Sequence, residues 1–297
     1  MTLFPLLLRR LFAAVLFSLS FGAPLHAEST CSAVSKMGVE RLWLAQLAPP
    51  SRPGLPEAPK PLLGLPPDPG PLDPGEVRLH YMGRGEVVII ASDGTIATTD
   101  YSGIPGLSTI VPDVVTMNDT VPLQKTDEPD PRIPLVLRGW PDAAGRPAVH
   151  DVRVGSMLVR NVTTNTFGTA GQGVRVGGNS IFIFETEGLC IGHMGFLHEM
   201  PSEETFARIG RLDAAVIAIE GQHILPTDQM IEVLRRLQVK VVIPAHWNSY
   251  DVLAEVMGRF EAEFPVVMTR TPEIDLSTSK LPGSLTVILL DPQPFFF

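Results

Sequence analysis

The chain is expected to fold as an α/β sandwich in which helices pack on mixed sheets. Three observations lead there. Strand-like apolar runs dominate the first part of the core, helical periodicity enters only after residue 200, and from there strands alternate with amphipathic helices. With 297 residues, 44% of them hydrophobic, the chain can build one sizeable core and still carry appendages.

The appendages come first. Residues 1–27 read as a secretory signal peptide: Arg9 and Arg10 precede an apolar run from Leu11 to Phe21, and small residues follow, ending at Ala27. The apolar run is shorter than the roughly 20 residues that span a bilayer, so no stable membrane anchor is expected once it is removed. The protein is then periplasmic or secreted. Residues 28–48 are a short amphipathic segment, and residues 49–75 form a linker. That linker holds eleven of the chain's 29 prolines, which remove backbone donors and favour extended geometry over helix or sheet. The domain proper is expected to occupy residues 76–297.

Charge and cysteine content narrow the function classes. The net charge is −9, and losing Arg9 and Arg10 makes the mature chain more acidic still, so it lacks a basic footprint for nucleic acid. Cys31 and Cys190 would meet an oxidising compartment. Cys190 sits in an apolar strand-like segment, so a buried free thiol and a Cys31–Cys190 bridge both stay open.

Within the domain, EVRLHYMG, EVVIIASDG and TIATTDYSG read as strands punctuated by glycine at turns. LVLRGW, DVRVGSMLVRNVTTNT and NSIFIFETEGLCIGH make a second strand-rich block. AGQGVRVGG reads as a hairpin turn, because it lacks the lysine and the Ser/Thr of a phosphate loop. Ser202 caps EETFARIG. Thr227 caps DQMIEVLRRLQ, where Met230, Ile231, Leu234 and Leu237 share a face, and Ser249 opens YDVLAEVMGRFEAEF. DAAVIAIE, VKVVIPAH and SLTVILL are the intervening and closing strands. No G-x-S-x-G elbow supports a serine nucleophile.

Taken in order, VRLHYMG, SDGTIATTDYSG, PDVVTMND, GGNSIFIFETEGLCIGHMG, RLDAAVIAIEGQHILPTDQM and VVIPAHWNS resemble the metallo-β-lactamase fold. The nearest branch is that of hydrolases related to ascorbate-6-phosphate lactonase. The resemblance covers roughly residues 76–260. It implies an αββα sandwich, two mixed sheets packed between helices. It also implies one or two zinc or similar ions that activate water against an ester, lactone or phosphodiester.

The ligand motifs depart from the family pattern. The first ligand loop reads TMNDTVPLQKT, without histidine; Val121 and Gln124 stand where a secreted subgroup has histidines. Asn165 is the nearest polar candidate for the middle histidine, Phe196 replaces the family's aspartate, and Arg84 stands where a Gly-His pair is usual. His193, His198 and His246 match positions where the family or subgroup has histidine. The resemblance therefore implies at most one divalent ion, zinc or another metal, or none at all. Its ligands would be His193, His198 and His246, with Asp119 or Glu199 as a fourth. Asp119 and His223 are the candidate catalytic residues. Each also has a plain reading, Asp119 and Glu199 as solvated loop carboxylates and His223 as an exposed loop histidine. Among the other ionisable residues, His80 is expected to be structural. On this reading Phe196→Asp would raise zinc affinity if the ancestral geometry survives.

Two functions follow. One is an exported hydrolase acting on a small-molecule substrate. The other is a non-catalytic descendant that keeps the cleft to bind a small ligand or a protein.

Overall fold

The computed structural model describes residues 29–31, 70–103, 111–121, 124–167, 173–220 and 224–292. The signal peptide, most of the amphipathic segment and linker residues 49–69 lie outside them, as does His223. The last linker residues, 70–75, form neither helix nor strand.

The strands form two mixed sheets. In the six-stranded sheet, β1 (Val77–Gly83) pairs antiparallel with β2 (Glu86–Ala91), and β2 with β3 (Ile96–Thr98). Next, β4 (Val114–Met117) and β5 (Leu135–Arg138) add in parallel, and β13 (Glu273–Leu276) closes the far edge against β1. The eight-stranded sheet starts with the antiparallel strands β6 (Asp151–Val154), β7 (Met157–Phe167), β8 (Val174–Thr186) and β9 (Leu189–His193). It continues in parallel through β10 (Ala214–Ala218), β11 (Val241–Ala245), β14 (Thr286–Leu289) and β12 (Val266–Met268).

Alternation within each strand assigns its faces. On β1 and β2, Val77, Leu79, Tyr81, Val87 and Ile89 point between the sheets. There they meet Phe182 and Phe184 of β8, Val216 of β10 and Ile243 of β11. The opposite face of the eight-stranded sheet carries Ile181, Ile183, Ala215, Ile217 and Val242. It packs under helices α1 (Glu203–Ile209), α2 (Thr227–Arg236) and α3 (Tyr250–Glu261). Central strands apolar on both faces explain why IFIF, AAVIAI and VVI read as unbroken hydrophobic runs.

The helix boundaries follow the caps with one correction. Ser202 accepts the Thr205 N–H and Ser249 accepts the Val252 N–H, as Ncap side chains do. Thr227 is not a cap: it is the first helical residue, preceded by Pro226, and no side chain caps α2. The stretch VRVGG is strand rather than turn, since β8 begins at Val174. Three short strands, β4, β12 and β13, carry no distinct pattern in the sequence.

Cys31 and Cys190 form a disulfide. The bond pins the described N-terminal residues to the start of β9, where the Cys31 carbonyl also accepts the Arg211 N–H. Nearby, Glu185 accepts from the Ser29 hydroxyl, the Thr30 N–H and the Arg160 guanidinium. Arg160 also donates to the Arg208 and Ile209 carbonyls at the end of α1, so the buried charge pair is held by hydrogen bonds beyond its own contact.

Candidate functional site

The parallel strands aim their carboxyl ends at the turn joining β1 to β2. His193 is the last residue of β9, and His246 directly follows β11. Both reach that turn: His193 Nε2 lies 2.8 Å from the Gly85 carbonyl, and the His246 backbone N–H donates to the Arg84 carbonyl at 2.5 Å. Tyr81 donates its hydroxyl to the same Arg84 carbonyl, and burial raises its phenol above the usual range. The two sheets are thus laced together at this turn.

The His193 ring is committed on both sides. A carbonyl can only accept, so Nε2 carries the proton given to Gly85. The Gly195 N–H points at Nδ1 from 3.3 Å, so that nitrogen's lone pair is already in use. No ring nitrogen remains to face an ion.

A buried polar network fills the neighbouring volume. Asp100 follows β3 with φ 44°, a left-handed conformation that costs a non-glycine residue energy and persists only where its surroundings enforce it. Its carboxylate accepts from Asn118 Nδ2 at 3.2 Å and Gln124 Nε2 at 2.8 Å, and it lies 3.8 Å from His193 Nε2. Burial pushes the Asp100 carboxyl up. Asn118 also exchanges bonds with the Ser180 backbone, while Asn179 accepts the Phe196 N–H and donates to Thr164 and the Met194 carbonyl. The packing leaves little slack. A Cβ added at Gly195, φ 57°, would lie 2.2 Å from Asn179 Oδ1, and one at Gly85 would lie 2.7 Å from Asp100 Oδ2.

Phe196 and His246 form the other wall. The Phe196 ring meets His246 edge to face, centroids 4.5 Å apart, and is 1% exposed. His246 has φ 52°, and its Nε2 is buried without a hydrogen-bond partner among the described residues. Burial lowers its imidazole to about 4.

The remaining candidates stand elsewhere. Asp119 pairs with Arg175 through both carboxylate oxygens, with Lys125 Nζ 3.6 Å away. Glu199 accepts the Asn165 N–H at 2.9 Å, and His198 Nδ1 accepts the Phe167 N–H at 3.2 Å. Asn165 itself accepts from the Gly177 N–H. These four serve the β7–β8 hairpin. His80, as expected of a structural residue, hydrogen-bonds Glu273 at 2.6 Å from strand β1. The structure therefore brings His193 and His246 together and does not gather His198, Asp119 and Glu199 beside them. Among the described residues no group of three His, Cys, Asp or Glu side chains could hold a metal ion. Zinc does not fit this donor set: the one lone pair of the His193 ring accepts the Gly195 N–H, the His246 ring packs edge-on against Phe196, and Asp119 is paired with Arg175 and Lys125.

Glu86, which opens β2, was not marked by the sequence. It is 8% exposed and accepts the Ser102 hydroxyl at 3.0 Å. Burial, reinforced by the Asp100 charge and opposed by the Ser102 bonds, pushes its carboxyl up to about 7. A raised carboxyl pKa favours the native state below the unfolded value of 4.5, and this contribution is lost as pH rises through about 7. Glu86→Gln keeps an oxygen for Ser102 and removes the titration. Relative to the parent, the variant should gain stability between these two pH values, by up to about 3 kcal/mol. Urea unfolding of both proteins at pH 5 and 8 measures the difference; a gain independent of pH would contradict the assignment.

Two mixed sheets packed face to face, with helices on the outer face of the larger one, make this an α/β sandwich. The model of the β-lactamase superfamily domain matches residues 78–246, more than half the chain. The protein belongs to the metallo-β-lactamase superfamily. Solved structures share the fold, two among them as follows. One is a superfamily protein of Thermotoga maritima, described as a candidate Zn-dependent hydrolase: 17% identical, TM-score 0.50, covering 72% of this chain and 98% of that one. The other is a metallo hydrolase from the hyperthermophilic archaeon Ignicoccus hospitalis: 13% identical, TM-score 0.50, covering 73% of this chain and 96% of that one. No curated protein sequence matches the chain.

Proposed function

We propose that this chain is an exported, non-catalytic descendant of the superfamily, one whose metal cleft has become a hydrogen-bonded core and whose role is to bind a small ligand or a protein. The observation that carries this reading is the double commitment of the His193 ring to Gly85 and Gly195. Water activation in this superfamily depends on an ion that lowers the pKa of bound water. Beside His193, the buried Asp100 carboxylate accepts from Asn118 and Gln124, so its charge is met by hydrogen bonds without an ion. The hydrolytic reading, with Asp119 and His223 as catalytic groups, has less support, because Asp119 is bound to Arg175. Export is supported by the apolar leader at residues 11–21 and by the Cys31–Cys190 disulfide, which persists in oxidising compartments.

The test is an assay of the mature chain against ester, lactone and phosphodiester panels, with and without added zinc. No turnover above buffer is expected in either condition. Zinc-dependent turnover that disappears in His193→Ala would refute the reading.

A further inference from the structure

Among the described residues, β13 and β5 are the outer strands of the smaller sheet, and β12 and β6 those of the larger. β13 carries Glu273 and Asp275, β5 carries Arg138, and β6 carries Asp151 and Arg153. Charged side chains of this kind guard a sheet edge against pairing with another chain. β12 reads VVM, without a charge, and leaves Val267 47% and Met268 65% exposed. Its main chain is open as well. On the side of β14, the Pro265 carbonyl accepts the Val287 N–H and the Thr269 N–H donates to the Leu289 carbonyl. Main-chain groups alternate in direction along a strand, so Val266 and Met268 turn their N–H and C=O groups outward from the sheet. Pro265 does not protect this edge, because its nitrogen lies at an inward-facing position.

We propose that β12 is a self-association edge, at which a second copy of this chain pairs antiparallel about a two-fold axis through Val267. The inference does not depend on the fate of the metal cleft. In this register Val266 of each copy exchanges both main-chain bonds with Met268 of the other. Val267 then faces its own counterpart at the non-bonded position, where side chains across a pair approach most closely. The contact is isologous, so it closes at two copies and does not propagate into a fibre. Charge selects this partner over an arbitrary extended peptide. Two residues past Met268, Arg270 is exposed and has no ion pair among the described residues. The same register carries it to the turn that precedes β12 in the second copy, opposite Phe264. There α3 ends at Glu261, which is exposed and likewise without an ion pair among the described residues, and Glu263 follows, paired with Arg235. Both the acidic residues and the negative end of the helix dipole attract the cation, once in each half of the dimer. A strand of three residues buries little area, so the dimer belongs to the weak, concentration-dependent class.

The test uses the mature full-length chain in sedimentation equilibrium from low micromolar to near millimolar concentration. A reversible monomer–dimer equilibrium is expected. Val267→Lys sets like charges face to face across the axis and should leave the chain monomeric. Met268→Pro removes an outward donor without touching the bonds to β14 and should do the same, so either variant serves if the other fails to fold. Arg270→Glu should weaken the dimer several-fold, whereas Val149→Lys, at an exposed position far from this edge, should leave it unchanged. Geometry is read by cross-linking: antiparallel neighbours at a non-bonded position lie within reach of a disulfide, so Val267→Cys should be captured as a covalent dimer by oxidised glutathione much faster than Val149→Cys. A monomer throughout the concentration range, a dimer that survives Val267→Lys and Met268→Pro, or capture of Val267→Cys no faster than of Val149→Cys would overturn the proposal.

Discussion

Phe196→Asp is expected to destabilise the protein by about 3–5 kcal/mol, the range for removing a buried aromatic ring, with a further cost for a carboxyl left among apolar neighbours. The ring it removes is 1% exposed and packs edge-on against His246. The same substitution would be the repair expected from the superfamily pattern, since it returns a carboxylate to a ligand position. The two expectations part on addition of zinc. If the cleft is a hydrogen-bonded core, zinc leaves the Tm of the variant unchanged, because His193 still gives its proton to Gly85 and accepts from Gly195. If a latent metal site survives, zinc restores the lost stability. Thermal unfolding of the variant with and without zinc decides between them.

Removing the disulfide should have an effect of similar size. The Cys31–Cys190 bond spans 159 residues, and closing a loop of that length in the unfolded chain corresponds to about 5 kcal/mol on the chain-entropy account, with 2–5 kcal/mol the usual measured range. The double variant Cys31→Ser/Cys190→Ser avoids a stray thiol. Its urea midpoint should fall well below the parent's under oxidising conditions and match the parent's under reducing ones. Equal midpoints under oxidising conditions would show that the bridge contributes nothing to stability.

Much of the sandwich was legible because burial imposes periodicity. Alternation in EVRLHYMG and the i, i+3, i+4 face of Met230, Ile231 and Leu234 are direct records of which side chains meet a core. The short strands β4, β12 and β13 left no such record: three or four residues are too few to establish a period, and β12 leaves Val267 and Met268 exposed at a sheet edge. The site was legible in a different way. Sequence order placed His193 and His246 correctly at strand ends, because a resemblance fixes where a chain emerges from its sheet. It could not say which way the ring nitrogens point or what Asp119 touches. Those depend on partners far along the chain: Gly85 for His193, over 100 residues earlier, and Arg175 for Asp119. Glu86 was missed for the same reason, since nothing beside it in the sequence announces that its carboxyl will be buried near Asp100.

The central claim, that the cleft of this superfamily member is closed to metal, is tested most directly by calorimetric titration of zinc into the mature, chelator-treated chain. The account predicts no saturable binding at this cleft. Tight, saturable uptake of one or two zinc ions, abolished by His193→Ala or His246→Ala, would contradict it.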